Sequence, residues 1–253
     1  MHVDGTVARV NGTNHHAAVC SNGAATMYFA REKKGHAGVR GTPVETFGGI
    51  LAHDHEACFY SYGSDHQQCM VHIERYLKDS IENGKELTWN RQMLKLIQEM
   101  IHENSLALAE GIPEEKIAAF EARYDSIVQT ATKEYEDTPA SDYYRDGYNL
   151  YLRMVEYKHN HLLFLSNPLV EPDNNLCERK ARILKGKINQ AISLGSFRHL
   201  EYFCECLSVL DHFATDDKNN LYESIKEIFK KPRPRQARVK SENTESSNTV
   251  LPE

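Results

Sequence analysis

No segment of the 253-residue chain approaches the roughly 18 consecutive apolar residues that a membrane-spanning helix needs. Met1-His2-Val3-Asp4 does not open a signal peptide. Positive charge is not in excess either: 30 Lys and Arg stand against 36 Asp and Glu, for a formal net charge of -6. That balance excludes a protein that grips nucleic acid through overall basicity, while leaving room for a local basic groove. Cysteine is sparse, with six residues (20, 58, 69, 177, 204, 206) spread along the chain. Without a secretory signal these read as reduced thiols rather than a disulfide framework. There is no internal repeat. What remains is an ordinary composition, 40% hydrophobic and 26% charged, expected of a soluble cytoplasmic protein with no membrane partner. The length suits one large domain or two small ones with a real core.

The first third has the period of strands. Residues 1–10 (MHVDGTVARV) alternate, which predicts Val3, Gly5 and Val7 on one face and His2, Asp4 and Thr6 on the other. Turn signals at Asn11-Gly12 and Asn22-Gly23 separate this run from two more, His16 to Cys20 and Thr26 to Ala30. Together they predict an antiparallel meander. A glycine-rich stretch leads to a short helix near Val44 to Phe47. The apolar run Ile50-Leu51-Ala52 then reads as a buried strand that delivers polar residues, His53-Asp54-His55, at its C-terminal end, where α/β sheets usually carry their chemistry.

From about residue 70 the period changes to 3.6. Met93, Ile97, Met100 and Ile101 form one stripe, Ile117, Phe120, Tyr124, Ile127 and Val128 a second, and Tyr144, Tyr148, Tyr151, Leu152 and Val155 a third. The chain therefore divides into a first α/β part (1–84), a helical block set inside it (85–160) and a second α/β part (161–229). In the last, Glu171-Pro172-Asp173-Asn174-Asn175 starts a helix reaching about Leu184. Phe197 to Leu210 forms a further amphipathic helix and Leu221 to Phe229 a short last one. Residues 230–253 are expected to be a disordered basic tail, with Lys230, Lys231, Arg233, Arg235, Arg238 and Lys240 clustered in it.

Three acidic residues stand out by position. Asp4 falls mid-strand, where Asp is disfavoured; Asp54 ends an apolar strand; Glu178 lies one turn into a helix whose continuation is basic. Asn174 and Arg182 share its face at i-4 and i+4. Should these three carboxylates converge, like charges would push their pKa values up unless a cation neutralised them. All-oxygen ligands select Mg²⁺ or Mn²⁺, and two such ions can clamp an in-line phosphoryl displacement.

The blocks HVDGT, GGILAHDHEACFYSYG, HQQCMVHIERYLKD and EPDNNLCERKARILKGKINQ resemble successive blocks of the DDE transposases of the insertion-sequence-66 type. The D-N-N-x-x-E-R signature followed by a basic stretch is the most specific of them. The resemblance runs from residue 1 to about 215. It implies an RNase H-like mixed sheet core interrupted by an all-helical insertion, with Asp4, Asp54 and Glu178 as the catalytic, metal-holding residues. It further implies two Mg²⁺ or Mn²⁺ ions, and cleavage and joining of DNA at transposon ends and target without a covalent enzyme intermediate. Arg179, Lys180, Arg182, Lys185, Lys187 and Arg198 would contact phosphates, and Asn174 and Asn175 would orient the helix start or Glu178. Members of the family act as homo-oligomers on DNA and carry N-terminal segments that bind ends. Since this chain begins almost on the first catalytic strand, it resembles the C-terminal part of a split or truncated transposase, with other chains supplying those segments. His53 and His55 flank Asp54 where smaller or apolar residues are the family pattern.

Two other readings compete. In one, His53, Asp54, His55 and His72 are the nitrogen-rich ligands of a metal phosphohydrolase, which gives Glu178 no role. In the other, the chain is a catalytically inactive transposase remnant that binds DNA or a partner chain. Cys69-x-x-His72 is half of a zinc spacing without a second half, and it reads, like Cys204-x-Cys206, as packing. Tyr60, Tyr62 and the Tyr143–Tyr151 stripe read as core contacts.

Overall fold

In the computed structural model Asn11 and Gly12 both have positive φ, 45° and 81°. This is the type I′ geometry whose twist matches the strands it joins, and it closes β1 (His2–Val10) on β2 (Thr13–Ser21). A second turn leads to β3 (Thr26–Arg31), antiparallel to β2, so the predicted meander is present. The structure describes residues 1–107, 110–140, 145–191, 194–214 and 220–230. The basic tail beyond Lys230 and Tyr143 and Tyr144 lie outside the described residues.

After two one-turn helices, α1 (His36–Val39) and α2 (Pro43–Thr46), the chain enters β4 (Ile50–His53), then a 3₁₀ turn (Ala57–Ser61) and β5 (Asp65–Gln68). β4 pairs in parallel with both β1 and β5, giving a mixed five-stranded sheet ordered β3-β2-β1-β4-β5. β5 is a strand that alternation does not predict, because Asp65-His66-Gln67-Gln68 contains no apolar residue. Its buried amides are satisfied by helices instead: Gln67 Oε1 accepts the Phe164 N–H at 2.9 Å and Gln68 Oε1 accepts from Arg153 at 3.2 Å, as buried polar groups require.

The helices that follow are α3 (Met70–Asn83), α4 (Trp89–Ala107), α5 (Glu114–Asp137), α6 (Asp146–Glu156) and α7 (Lys158–Ser166). They share one apolar core running from Met70 to Val170 and built around Trp89, Met93, Ile97, Tyr124 and Phe164. Burial of each such side chain contributes about 1.5–3 kcal/mol. In α6 the buried positions are Gly147, Leu150 and Met154, whereas Leu152 and Val155 are 43% and 51% exposed. The third stripe is thus rotated from the predicted one, since the tyrosines beside it pack only at its margin.

α8 (Asn175–Gln190) runs six residues beyond Leu184 and, with α9 (Phe197–Ala214), covers one face of the meander. Cys177, Ala181, Leu184, Ile188, Leu200 and Cys204 meet Ala8, Val10, Ala17, Val19 and Tyr28. Val3, Ala18, Phe29 and Leu51 face the other side, against Val39, Val44 and Phe59. Val7, on the Val3 side by alternation, is 51% exposed and takes no part in that cluster. The described units are Met1–His212 and, separately, Phe213–Glu253, which contains α10 (Leu221–Lys230). No described helix is long and apolar enough to cross a membrane.

Candidate active site

The parallel register of β1 with β4 sets His2 opposite Ala52. Two residues further along come Asp4, near the start of β1, and Asp54, just past the end of β4, so the equal offset brings the two to the same level of neighbouring strands. Asp54 is steadied from β3: the buried Arg31 guanidinium holds Glu56 at 2.8 Å, two residues past Asp54. Asp4 Oδ1 accepts the Gly5 N–H at 2.7 Å.

Glu178 reaches the same region from α8. The start of that helix is preceded by an Asx turn in which Asp173 Oδ1 accepts the Asn175 N–H at 2.8 Å. The fully buried Asn174 ties the helix to β1 next to Asp4: its Nδ2 donates to the Val3 carbonyl at 2.8 Å and its Oδ1 lies 3.1 Å from His2 Nδ1. The Asn175 side chain turns to Asp173 instead. The start of α3 docks here too, with the Met70 N–H donating to Pro172 O at 2.9 Å and the Asn174 N–H to Cys69 Sγ at 3.3 Å.

Asp4 and Glu178 line one cavity of about 260 Å³ with Thr6, His72, Arg75, Arg182 and Lys185. Asp54 lines the adjoining cavity with His16, Lys34, Glu56, Tyr76 and Arg153; Gly5 and Thr6 belong to both. Burial, then the charge of Asp54, then that of Glu178 push the Asp4 carboxyl up to about 6, against the opposing pull of the Gly5 N–H and Arg182. Burial also raises Asp54, which Glu56 reinforces and His72 opposes. Carboxylates from two other elements, Asp54 and Glu178, therefore act electrostatically on Asp4. An unneutralised group of this kind suits a hard divalent cation, whose charge would reverse those shifts.

The Glu178 carboxylate is also held on its far side. Oε1 is 3.6 Å from His72 Nδ1 and 3.8 Å from Cys69 Sγ, and Oε2 is 3.1 Å from Arg182. Among the described residues these three, Cys69, His72 and Glu178, bring potential ligand atoms within 4.8 Å of one another; Asp4 and Asp54 do not complete such a tight group in this arrangement.

A family model described as Transposase IS66 family matches residues 1–196, most of the chain and a span that includes Asp4, Asp54 and Glu178. The chain belongs to the IS66 transposase family. No curated protein and no solved structure matches it significantly. Membership supports a transposase role, and it sets the cavity residues of this IS66 transposase chain in context.

The six predicted basic residues fall on different surfaces. Arg182 and Lys185 line the Asp4 cavity. Lys180 faces α9 and pairs with Asp211 at 2.6 Å, Lys187 donates to Gln190 at 3.2 Å, and Arg198 pairs with Glu201 while lying over the Tyr202 ring. Arg179 is exposed outside the cavity lining. The helical period explains the split, since 182 and 185 lie one and two turns from Glu178 whereas 187 is on the opposite side. Residues of the site that were missed come from α3 and α6: Arg75 and Arg153. For Arg75 the spacing from His72 was a usable signal, as i+3 shares a face; for Arg153 there was none. The histidine-rich alternative is not assembled. His53 is fully buried with Nδ1 against the Asp54 carbonyl and Nε2 3.3 Å from His66, and His55 Nδ1 is 3.1 Å from the Tyr60 hydroxyl.

Proposed function

We propose that this chain is the catalytic part of a DNA transposase, with an RNase H-like core in which Asp4, Asp54 and Glu178 hold Mg²⁺ or Mn²⁺ for cleavage and transfer of DNA strands. The sheet order β3-β2-β1-β4-β5, with an antiparallel meander followed by two parallel strands, supports that core. Helices α4 to α6 fall in its insertion (85–160), with parts of the core (1–84 and 161–229) on either side. The single observation that carries the reading is the placement of three carboxylates from β1, the end of β4 and α8 around adjoining cavities, where burial first and then the charges of Asp54 and Glu178 push Asp4 up to about 6.

When bound, the cations supply an activated water or 3′-hydroxyl and stabilise the charge on the leaving oxygen. The chain's own residues do the rest. Asp4 and Asp54 present oxygens from a rigid pair of strands, and Asn174 keeps α8 in register with β1 so that Glu178 faces them. Arg75, Arg182 and Lys185 line the cavity and are placed to meet phosphate oxygens, a charge-assisted contact that positions a strand without reading its sequence. The partner is DNA, at transposon ends and target, with further copies of the chain and chains carrying end-binding segments completing the assembly.

The test is Mn²⁺-dependent cleavage and strand transfer on DNA carrying the element's own ends, comparing Asp4→Asn, Asp54→Asn and Glu178→Gln with the native chain. The reading requires each variant to fall to background with unchanged circular dichroism. Retention of native activity by any one of them removes that residue from the centre, and an inactive native chain on a competent assembly identifies the inactive remnant.

A further inference from the structure

Cys69-x-x-His72 has the spacing of half a zinc site, and the fold supplies the third ligand from more than a hundred residues away. Cys69 is the N-cap of α3 and is 2% exposed; His72 is one turn into that helix; Glu178 comes from α8. Their positions are fixed independently of any ion by the Met70–Pro172 and Asn174–Cys69 hydrogen bonds that join the two helix starts. Three side chains held so closely leave one group unfulfilled: His72 Nδ1 is buried and has no hydrogen-bond partner among the described residues.

The separations approach those of ligands around one ion, with the Cys69 sulfur and a His72 nitrogen also within 4.8 Å of each other. Tetrahedral zinc with bonds of about 2.0 Å to nitrogen or oxygen and about 2.3 Å to sulfur places its ligand atoms about 3.3–3.7 Å apart. Glu178 Oε1 lies 3.6 Å from His72 Nδ1 and 3.8 Å from Cys69 Sγ. We infer that Cys69, His72 and Glu178 form a second metal site, selective for Zn²⁺-class ions, beside the Asp4 cavity that His72 and Glu178 also line. One sulfur, one nitrogen and one oxygen donor favour borderline ions over Mg²⁺, the reverse of the all-oxygen preference at Asp4 and Asp54. On binding, the Cys69 S–H bond breaks, its proton passes to solvent and the thiolate takes the metal, while His72 binds as neutral imidazole. The fourth position is left to water.

The site itself does not depend on the transposase reading, but its consequence does. Glu178 has one carboxylate, and Zn²⁺ that takes Oε1 neutralises the charge that the Asp4 side draws on. Zn²⁺ is therefore an antagonist of the hard-cation centre.

The test is Co²⁺ titration of the full chain in the absence of DNA, read by absorbance, followed by displacement with Zn²⁺. The inference expects one equivalent of Co²⁺ to give a thiolate-to-cobalt charge-transfer band together with the intense visible bands of four-coordinate cobalt. Zn²⁺ abolishes both. Cys69→Ser loses the charge-transfer band, and His72→Ala weakens binding by at least about tenfold; Asp4→Asn leaves the spectrum unchanged. Circular dichroism of both variants checks that they fold, and His72→Ala carries the test should Cys69→Ser fail to. Absence of the band in the native chain, or a band that survives in Cys69→Ser, overturns the inference. Because the spectrum needs no DNA and survives Asp4→Asn, its failure is distinguishable from failure of the strand-transfer assay.

Discussion

The helical block and the acidic cleft bury polar groups in opposite ways. In the block the buried polar groups around Tyr124 are partnered: the Tyr124 hydroxyl donates to the Met154 carbonyl at 2.9 Å and meets His161 Nδ1 at 2.9 Å, and His161 Nε2 reaches Gln68 at 3.2 Å. Burial keeps His161 neutral, with its pKa lowered to about 3, so no charge is stranded there. In the cleft, Asp4 is pushed up to about 6 by burial and by two other carboxylates. One region is arranged for stability. The other gives up stability to hold like charges together, the common signature of a functional site. Substitutions should therefore have opposite signs in the two regions.

The largest effect expected is on chemistry. Asp4→Asn, Asp54→Asn and Glu178→Gln each reduce Mn²⁺-dependent strand transfer to background while leaving the fold intact, measured by product formation beside circular dichroism. In the block, Phe164→Ala costs about 3–5 kcal/mol of stability, read by denaturant unfolding, because it empties a fully buried site against β5; the molecules still folded keep native Mn²⁺ affinity. A parallel loss of both in either region would dissolve the contrast.

The next effect is smaller and has a defined sign. A carboxyl whose pKa is raised to about 6 in the folded chain, from about 3.9 unfolded, binds more protons when folded, so stability falls as pH rises between those values. Asp4→Asn removes that cost. It stabilises the metal-free chain by about 3 kcal/mol above pH 6, and the gain vanishes below about pH 4. Thermal unfolding across that range checks it, and a pH-independent difference would mean that packing rather than charge sets the effect. The smallest effect separates the faces of α8. Lys185→Ala weakens DNA binding and reduces its salt slope by about 1, whereas Lys180→Ala, which loses only the Asp211 partner, leaves the slope unchanged.

Much of this was legible in sequence where one residue type had one reason to be present. Asn11-Gly12 specified its turn, Ile50 to Ala52 its strand, and Asp4 and Asp54, separated by fifty positions, met because the strands carrying them pair with that same offset. Where two forces competed, sequence failed. β5 is polar and was invisible to alternation because its amides answer to helices rather than to an apolar core. The α6 stripe was rotated because exposed Leu152 and Val155 resemble core residues in composition. Phosphate contacts could not be told from solvated lysines by charge alone; only the orientation of α8 separates Lys185 from Lys180. The Cys69–His72 pair lacked a partner in sequence because its third ligand, Glu178, comes from another helix.

Calorimetric Mn²⁺ binding, performed well above pH 6 with native chain, Asp4→Asn and Glu178→Gln side by side, tests the shared acidic centre most directly. The account predicts saturable binding by the native chain, weakened at least about tenfold by either substitution. Native binding that neither substitution changes would contradict it, since the cation would then be held without the two carboxylates that converge on it.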